Sequence, residues 1–373
     1  MKRLFALFLA VCLLLCACGK QEETTPTTEP TTVPTTEPTT EPTTEPTTEP
    51  TEPEVAFRHP LTGEPLEAAY EGYMSAVVIN NLVYALPQYG IAQADIIYET
   101  LVEGGITRMM AVYGDYTKMP DICTVRSARF YYPITALSFD AVYVHWGEET
   151  TYATNTIARL GVDRLSGAAN PGNIFGRDQE RRNAGYALEH TGYLKGAMVP
   201  EVLNDFGYRT DLKADHKDTV FSFAPEEEAI LPTTGLTDEF TLNFSKSYYS
   251  TFTYDAATAT YLKQHSGSPH MDGKTDTQLA FTNVLVFETS IESIDGKLMD
   301  VDVVGSGNGW WFSNGGYQQI KWSKADEYAP FILKDMSGNE LTVNAGKSYI
   351  GMIRPDCTAI TEKAVELETP AAE

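Results

Sequence analysis

The sequence predicts an α+β protein: a mixed α/β domain over residues 55–210, then a smaller, mostly antiparallel β domain over 211–356. Three observations predict this. The first half interleaves short apolar runs with helix-like stretches. The second half, from about residue 215, shows short alternating segments separated by glycine turns. Composition shifts at Val55 and again near Cys357 mark where the folded part begins and ends.

Residues 1–18 read MKRLFALFLAVCLLLCAC. Lys2 and Arg3 precede a twelve-residue apolar core, Leu4 to Leu15. A spanning helix needs about 20 apolar residues, so this is a secretory signal rather than a membrane domain. Its end, Leu15-Cys16-Ala17-Cys18, fits the lipobox of bacterial lipoproteins. That likeness implies cleavage before Cys18 and lipidation of its thiol; an ordinary secretory signal is the plainer alternative. Residues 19–54 form a stalk in which TTEP and TTVP repeat with a period of four from Thr24 to Pro50. It holds almost nothing apolar to offset the entropy of ordering. Regular prolines bias it towards polyproline II, at about 3.1 Å per residue. The reading is a spacer between membrane and body, with threonines dense enough to carry O-glycans.

In the first half, Ala76–Ile79 and Ala141–Val144 read as buried strands. Ile96–Val102 and Ile106–Tyr113 read as a hairpin around Gly104-Gly105, since a glycine pair supplies the positive φ of a two-residue turn. That register sets Leu101 opposite Arg108 and puts Glu99, Leu101 and Glu103 on the face of Arg108. Helices are expected at 127–138, 151–160 and 192–206, with Gly207 as a C-terminal stop. In the second half, strands are expected around Phe240–Phe244, Phe252–Tyr254, Val284–Phe287, Met299–Val303, Trp310–Phe312, Gln318–Trp322 and Tyr349–Ile353. Turns fall at Asp295-Gly296, Asn314-Gly315-Gly316 and Ser337-Gly338-Asn339. Gly305 to Gly309 is loosely phosphate-loop-like but has no following helix, so it reads as a turn. Trp310-Trp311-Phe312 sends aromatics to both faces of its strand, one into the core and one free to cover the first domain or stack on a saccharide. The tail, 357–373, is acidic and is expected to fray.

The formal net charge is −24. Residues 1–54 hold three cations against nine glutamates, −6, which leaves −18 for the rest. So acidic a body argues against nucleic acid and against anionic lipid as partners. Cys123 and Cys357 are the cysteines outside the signal; one disulfide and two free thiols are both open. Neither has metal or redox spacing, and no metal or cofactor is called for.

Eight stretches come in order: HPLTGEPL (59–66), VVINN (77–81), ADIIYETLVEGGITRMMAVY (94–113), VRSARFYY (125–132), PHMD (269–272), NVLV (283–286), DVVGSGNGWWFSNG (302–315) and LTVNAGKSYI (341–350). Together they resemble the YerB-like lipoprotein family, built from paired N- and C-terminal domains of unknown function. The resemblance runs from about residue 57 to 354. It implies a secreted, lipid-anchored, two-domain protein and carries no catalytic residue. Cys123 stands where the family shows a glycine or similar residue, so a disulfide there would not be a family trait.

Within this acidic body, VRSARFYY places Arg126 and Arg129 around Ser127. Ser127 is a candidate N-cap, so both guanidiniums would sit beside the free N–H groups of a helix start, an arrangement suited to a carboxylate or phosphate. The competing expectation is that both arginines pair with the chain's own carboxylates. Glu99 and Glu103 are candidate walls of such a site, and Arg108 is either another member or half of a surface ion pair. His145 follows the buried AVYV strand, where ligands gather in open α/β sheets. His190 follows Glu189, with Arg177-Asp178 in the loop before it. Each histidine is a weak catalytic candidate and more commonly structural. Ser127 lacks the nucleophile signatures Gly-x-Ser-x-Gly and Ser-x-x-Lys. His270 and Asp272 are read as a local pair or as loop-fixing residues. These observations support a lipid-anchored extracytoplasmic binding or scaffold protein that takes an anionic envelope ligand through Arg126, Ser127, Arg129, His145, His190, Glu99, Glu103 and Arg108. The alternatives are an envelope hydrolase or transferase with His145 as base, and a structural protein that interacts with another protein and takes no small ligand.

Overall fold

The structure is a computed structural model that describes residues 57–213, 216 and 218–363. The signal, Cys18 and the stalk lie outside the described residues. Val55–Glu373 cluster as one compact unit. Its backbone is a mixed sheet of 16 strands among the described residues. The strands that matter below are β1 (Ser75–Asn80), β2 (Ile96–Leu101), β3 (Thr107–Tyr113), β4 (Val142–His145), β5 (Arg164–Ser166), β6 (Gly235–Asn243), β7 (Tyr249–Asp255), β8 (Thr260–His265), β9 (Asn283–Glu288), β10 (Gly305–Ser313), β11 (Gly316–Lys324), β12 (Ser348–Ile353) and β13 (Thr358–Glu362). They run β8-β7-β6-β11-β10-β9-β12-β2-β3-β1-β4-β5, with β13 branching from β6. The α-helices are α1 (Tyr131–Leu137), α2 (Tyr152–Leu160), α3 (Gln179–Asn183) and α4 (Val199–Asp205). Among the described residues none follows Asp205, so the chain is α+β with its weight in strands.

The late strand β12 lies between β9 and β2, parallel to both. All six of its residues are buried, as are all of β1, β2 and β3. Strands buried on both faces read as continuous apolar runs, and that is how AVVI and SYIGMI are written. In the second half the alternation is visible in β8, Thr260–His265, whose even-spaced Tyr261, Lys263 and His265 are buried.

Several expectations are corrected. The hairpin does not turn on two residues. Val102 N–H donates to Ile106 O at 2.9 Å, and Glu103, Gly104 and Gly105 form the turn with both glycines at positive φ. The register is then Leu101↔Thr107, Thr100↔Arg108 and Glu99↔Met109. A slip of one residue moves every side chain to the other face, so Glu99 and Arg108 point to opposite sides. Helix α1 starts at Tyr131 with Phe130 as its N-cap, so Ser127 is not the cap. The cause is that Val125–Ala128 run extended across the ends of two strands: Arg126 N donates to Val78 O, Trp146 N to Arg126 O, and Ala128 N to Gly147 O, each at 2.9 Å. Pro133 is the third residue of α1, where its missing N–H costs no intrahelical bond. The helix expected over 192–206 begins at Val199, because Gly192–Leu194 is a short strand. Gly207, at φ +64, ends it as expected. Gly305–Gly309 is the first half of strand β10 and not a turn. A Cβ on Gly309 would stand 1.9 Å from the Val286 carbonyl, so these glycines admit the backbone of β9. The tail does not fray at once, since Thr358–Glu362 pairs with β6. Cys123 and Cys357 are both free, and burial pushes the Cys123 thiol up to about 12.

Candidate functional site

Strands β1, β4 and β5 are parallel, and β2 runs with them through two antiparallel pairings. Their carboxyl ends therefore lie along one edge: Asn80, His145, Ser166 and Leu101. The extended segment 125–129 crosses that edge, and the Glu103–Gly105 turn returns to it. This brings Arg108, Arg126, Ser127, Arg129, Glu103, His145 and His190 to the same side of the fold, and leaves Glu99 out.

Each arginine already has partners. Arg129 Nε donates to Glu103 Oε2 at 2.7 Å, and its Nη2 donates to Glu103 Oε1, a two-point fork. Arg126 is held by one bond, Nη2 to Glu189 Oε2 at 2.9 Å, and its buried Nε has no hydrogen-bond partner. Arg108 is buried; its Nη1 donates to Ser127 O at 2.6 Å, and Nη2 is 4.0 Å from Glu103. Burial, with Arg129 close by, pulls the Arg108 guanidinium down to about 10. Glu103 is partly buried, which would raise its pKa, but the bond to Arg129 outweighs this and holds it below the usual carboxylate range. Arg177 stacks over the Trp146 ring at 4.0 Å. Ser127 Oγ donates to Trp146 O at 3.2 Å, which fixes the crossing segment rather than presenting a nucleophile.

The histidines are interior. His145 is 0 % exposed, bonds the Gly147 carbonyl through Nδ1 at 2.9 Å, and stacks on Tyr143. Its Nε2 has no hydrogen-bond partner, with Glu148 Oε2 at 3.6 Å. His190 is buried, with Nδ1 3.0 Å from Asn80 Nδ2 and Nε2 3.7 Å from Glu189. Burial lowers the pKa of both. Among the described residues no group of three or more His, Cys, Asp or Glu side chains could hold a metal ion.

The two ion pairs differ in depth, and that sets an expected contrast. The Arg129 side chain is 13 % exposed and Glu189, the partner of Arg126, is 53 % exposed. Arg129→Ala strips both bonds from a half-buried carboxylate and is expected to cost about 2 kcal/mol. Arg126→Ala is expected to cost less than about 1 kcal/mol. Urea unfolding of the two variants measures the difference, and equal losses would contradict it.

Glu99 belongs to a second cluster, on the opposite face of β2, that the sequence reading missed. Lys263 Nζ of β8 is 3.3 Å from Glu99 Oε2 and 3.1 Å from His270 Nδ1. His270 Nε2 is 3.0 Å from Gln88 Oε1. Gln88 Nε2 donates to Asn81 Oδ1 at 3.2 Å, and Asn81 Nδ2 donates to Glu99 Oε1 at 2.9 Å, which closes a ring of five side chains. Thr107, Ser250 and Tyr349 hydroxyls also donate to Glu99. All of these groups are buried. The donor directions are consistent only with a neutral His270, which accepts from the ammonium at Nδ1 and donates from Nε2. Burial, then Lys263, lowers the His270 pKa well below its usual value. Asp272 does not pair with His270; it accepts from the Ala92 amide at 3.0 Å and from Lys274 N at 2.9 Å, the loop-fixing role. The signal that could have found this ring is the alternation of β8, which puts a lysine and a histidine in the phase of Tyr261. It is a connector between early and late parts of the chain, with each of its five members bonded to two others.

Comparison with known proteins agrees with this architecture. The family model described as the N-terminal domain of a protein of unknown function (DUF3048) matches residues 61–209, and the model of its C-terminal domain matches 240–350. A Bacillus subtilis (strain 168) protein named "Putative lipoprotein YerB" is 28% identical over 304 residues, 80% of this chain and 87% of that one. The crystal structure of the YerB protein from Bacillus subtilis superposes with a TM-score of 0.69 at 24% identity, over 82% of this chain and 100% of that one, a likeness of fold. With both halves matched in order across the described body, the chain belongs to the DUF3048 family, the family of YerB.

Proposed function

We propose that the protein is a lipid-anchored extracytoplasmic binding or scaffold protein, and that its arginine edge braces the fold instead of receiving an anion. The anchoring rests on the Leu15-Cys16-Ala17-Cys18 sequence and on a relative named as a lipoprotein. The observation that carries the second part is that Glu103 and Glu189 already occupy Arg129 and Arg126. An anionic ligand would have to displace a carboxylate that is covalently part of the site, and so bind against a very high local concentration. The hydrolase reading would need His145 to meet a substrate, yet its ring is sealed and its Nδ1 is committed to Gly147.

Two measurements test this. Full-length protein is expected in the membrane fraction, with Cys18→Ser released from it; an unchanged distribution would remove the anchor. Thermal unfolding is expected to be indifferent to inorganic phosphate and to short peptide carboxylates. A saturable rise that disappears in Arg126→Ala would restore the anion-receptor reading, which the exposure of Glu189 keeps as the second choice.

A further inference from the structure

Away from the arginine edge and the buried ring, a cavity of about 350 Å³ opens where the segment after α1 meets the late strands. Its inner wall is Met74, Phe139, Phe221, Phe331, Leu333 and Leu341, all buried and all apolar. This volume is within the range of small-molecule sites, which run from about 300 to 1,000 Å³ and pair apolar walls with a few placed polar groups. Ser138, His216, Thr219 and Ser222 supply such groups, and Ser138 is the deepest of them. Ser138, 1 % exposed, is part of the wall, and its Oγ has no hydrogen-bond partner. The neighbouring backbone does not account for it: Ser138 N–H bonds Thr135 O in the last turn of α1, and the hydroxyl is left over. A buried hydroxyl without a partner is unfavourable, and a guest that bonds to it removes the penalty.

The formal charges at the rim are both negative, with the imidazole of His216 beside them. Asp218 and Glu340 line the cavity and are exposed. Neither is in an ion pair among the described residues, whereas the acids at the arginine edge are all matched. The described lining includes no lysine or arginine. An apolar pocket with a hydroxyl in its wall and carboxylates at its mouth selects a guest that is apolar at one end and positive at the other.

We propose that this cavity is a binding site for a small amphipathic cation, an aromatic or aliphatic body carrying one amine, with the body against Phe139, Phe221 and Phe331 and the amine between Asp218 and Glu340. This reaches beyond the anchored-body reading and does not depend on it, since the site is on the folded unit whether or not Cys18 is lipidated.

Tryptamine is the probe, with indole as its neutral analogue and indole-3-propionate as its anionic one. Binding to the folded protein is followed by saturation-transfer NMR and by the shift in unfolding temperature. Tryptamine is expected to bind saturably at millimolar or lower concentration, indole roughly tenfold more weakly, and indole-3-propionate not at all. Asp218→Asn with Glu340→Gln is expected to bring tryptamine down to the level of indole. Leu341→Trp fills the cavity and is expected to abolish binding of both tryptamine and indole. Ser138→Ala, a change too small to threaten folding, is expected to weaken tryptamine several-fold and guards against a filled variant that fails to fold. The proposal is overturned if tryptamine does not bind, if the anionic analogue binds as well, or if Ser138→Ala and the rim variants leave its affinity unchanged.

Discussion

Lys263→Met is expected to cost about 3–5 kcal/mol of unfolding free energy, far more than any surface lysine replacement. Lys263 is 0 % exposed and is the one cation bonded to Glu99 among the described residues. Burial alone would push the Glu99 carboxyl up, but Lys263 and the surrounding hydroxyl donors hold it below the usual carboxylate range. Burial pulls Lys263 the other way, downward, and Glu99 opposes that. Each charge exists in the interior because of the other. Remove the ammonium and Glu99 must stay charged without its cation or take up a proton, while His270 loses the donor at Nδ1. Methionine keeps most of the volume, so a lost cavity contributes little. Lys334→Met, on an exposed position of the strand Ile332–Asp335, is the control and should change stability by less than about 0.5 kcal/mol. Guanidinium unfolding of both variants decides it, together with Glu99→Gln/Lys263→Met. Because a buried pair is worse broken than absent, the double variant should be more stable than Lys263→Met alone. If Lys263→Met unfolds within 1 kcal/mol of the parent, the ring does not hold the two parts of the chain together.

That ring also shows how far the residues could be read without coordinates. The strands were legible where hydrophobic period decides structure: AVVI, AVYV and the late strands ending in SYIGMI all fall where expected. The turn at Asn314-Gly315 was legible because both of its residues need positive φ, 50° and 76° in the structure. What failed was register. Gly104-Gly105 reads as a two-residue turn, yet Glu103 joins it, and one added residue sends Glu99 to the far face of β2. Local sequence does not fix this choice, because both turns satisfy the glycines. The arginine edge was half legible. The chain order put Arg126 and Arg129 together, and the strand-end argument put His145 beside them. Their closure by Glu103 and Glu189 spans 26 and 63 residues and leaves no local mark. Lys263, and with it the contact that His270 makes, is illegible for the same reason: a buried ion pair with Glu99, 164 residues earlier in the chain, has no signature except a charge in the wrong phase of a strand.

Acid should unfold the protein from the inside, and the loss should begin near pH 6.5 rather than near pH 4. His265 is 2 % exposed, and neither ring nitrogen has a hydrogen-bond partner. It faces Lys263 and Glu99, packs on the rings of His270 and Tyr248, and lies near the Asn81 backbone. Burial and then Lys263 lower its pKa from 6.5 to about 4. His270 is lowered in the same direction for the same two causes. A histidine in the unfolded chain titrates near 6.5. Above that pH both states hold it neutral and nothing is lost. Below it the unfolded chain takes a proton that native His265 refuses, so stability falls as pH falls, by about 1.4 kcal/mol per pH unit per histidine. For His265 alone the loss reaches about 3 kcal/mol by pH 4, and His270 adds to the slope across the same window. Glu99, whose pKa is lowered, acts at the bottom of the range: its stabilisation is whole above the ordinary carboxylate value and is lost as pH drops towards its native one. Urea midpoints at pH 7.5, 6.0 and 5.0 measure the slope. His265→Gln is expected to reduce it by about one proton's worth, and Lys334→Met to leave it unchanged. A midpoint that is flat between pH 7.5 and 5.0 would mean that these imidazoles take up protons in the native state, and that the ring around Lys263 is wetter than its geometry implies.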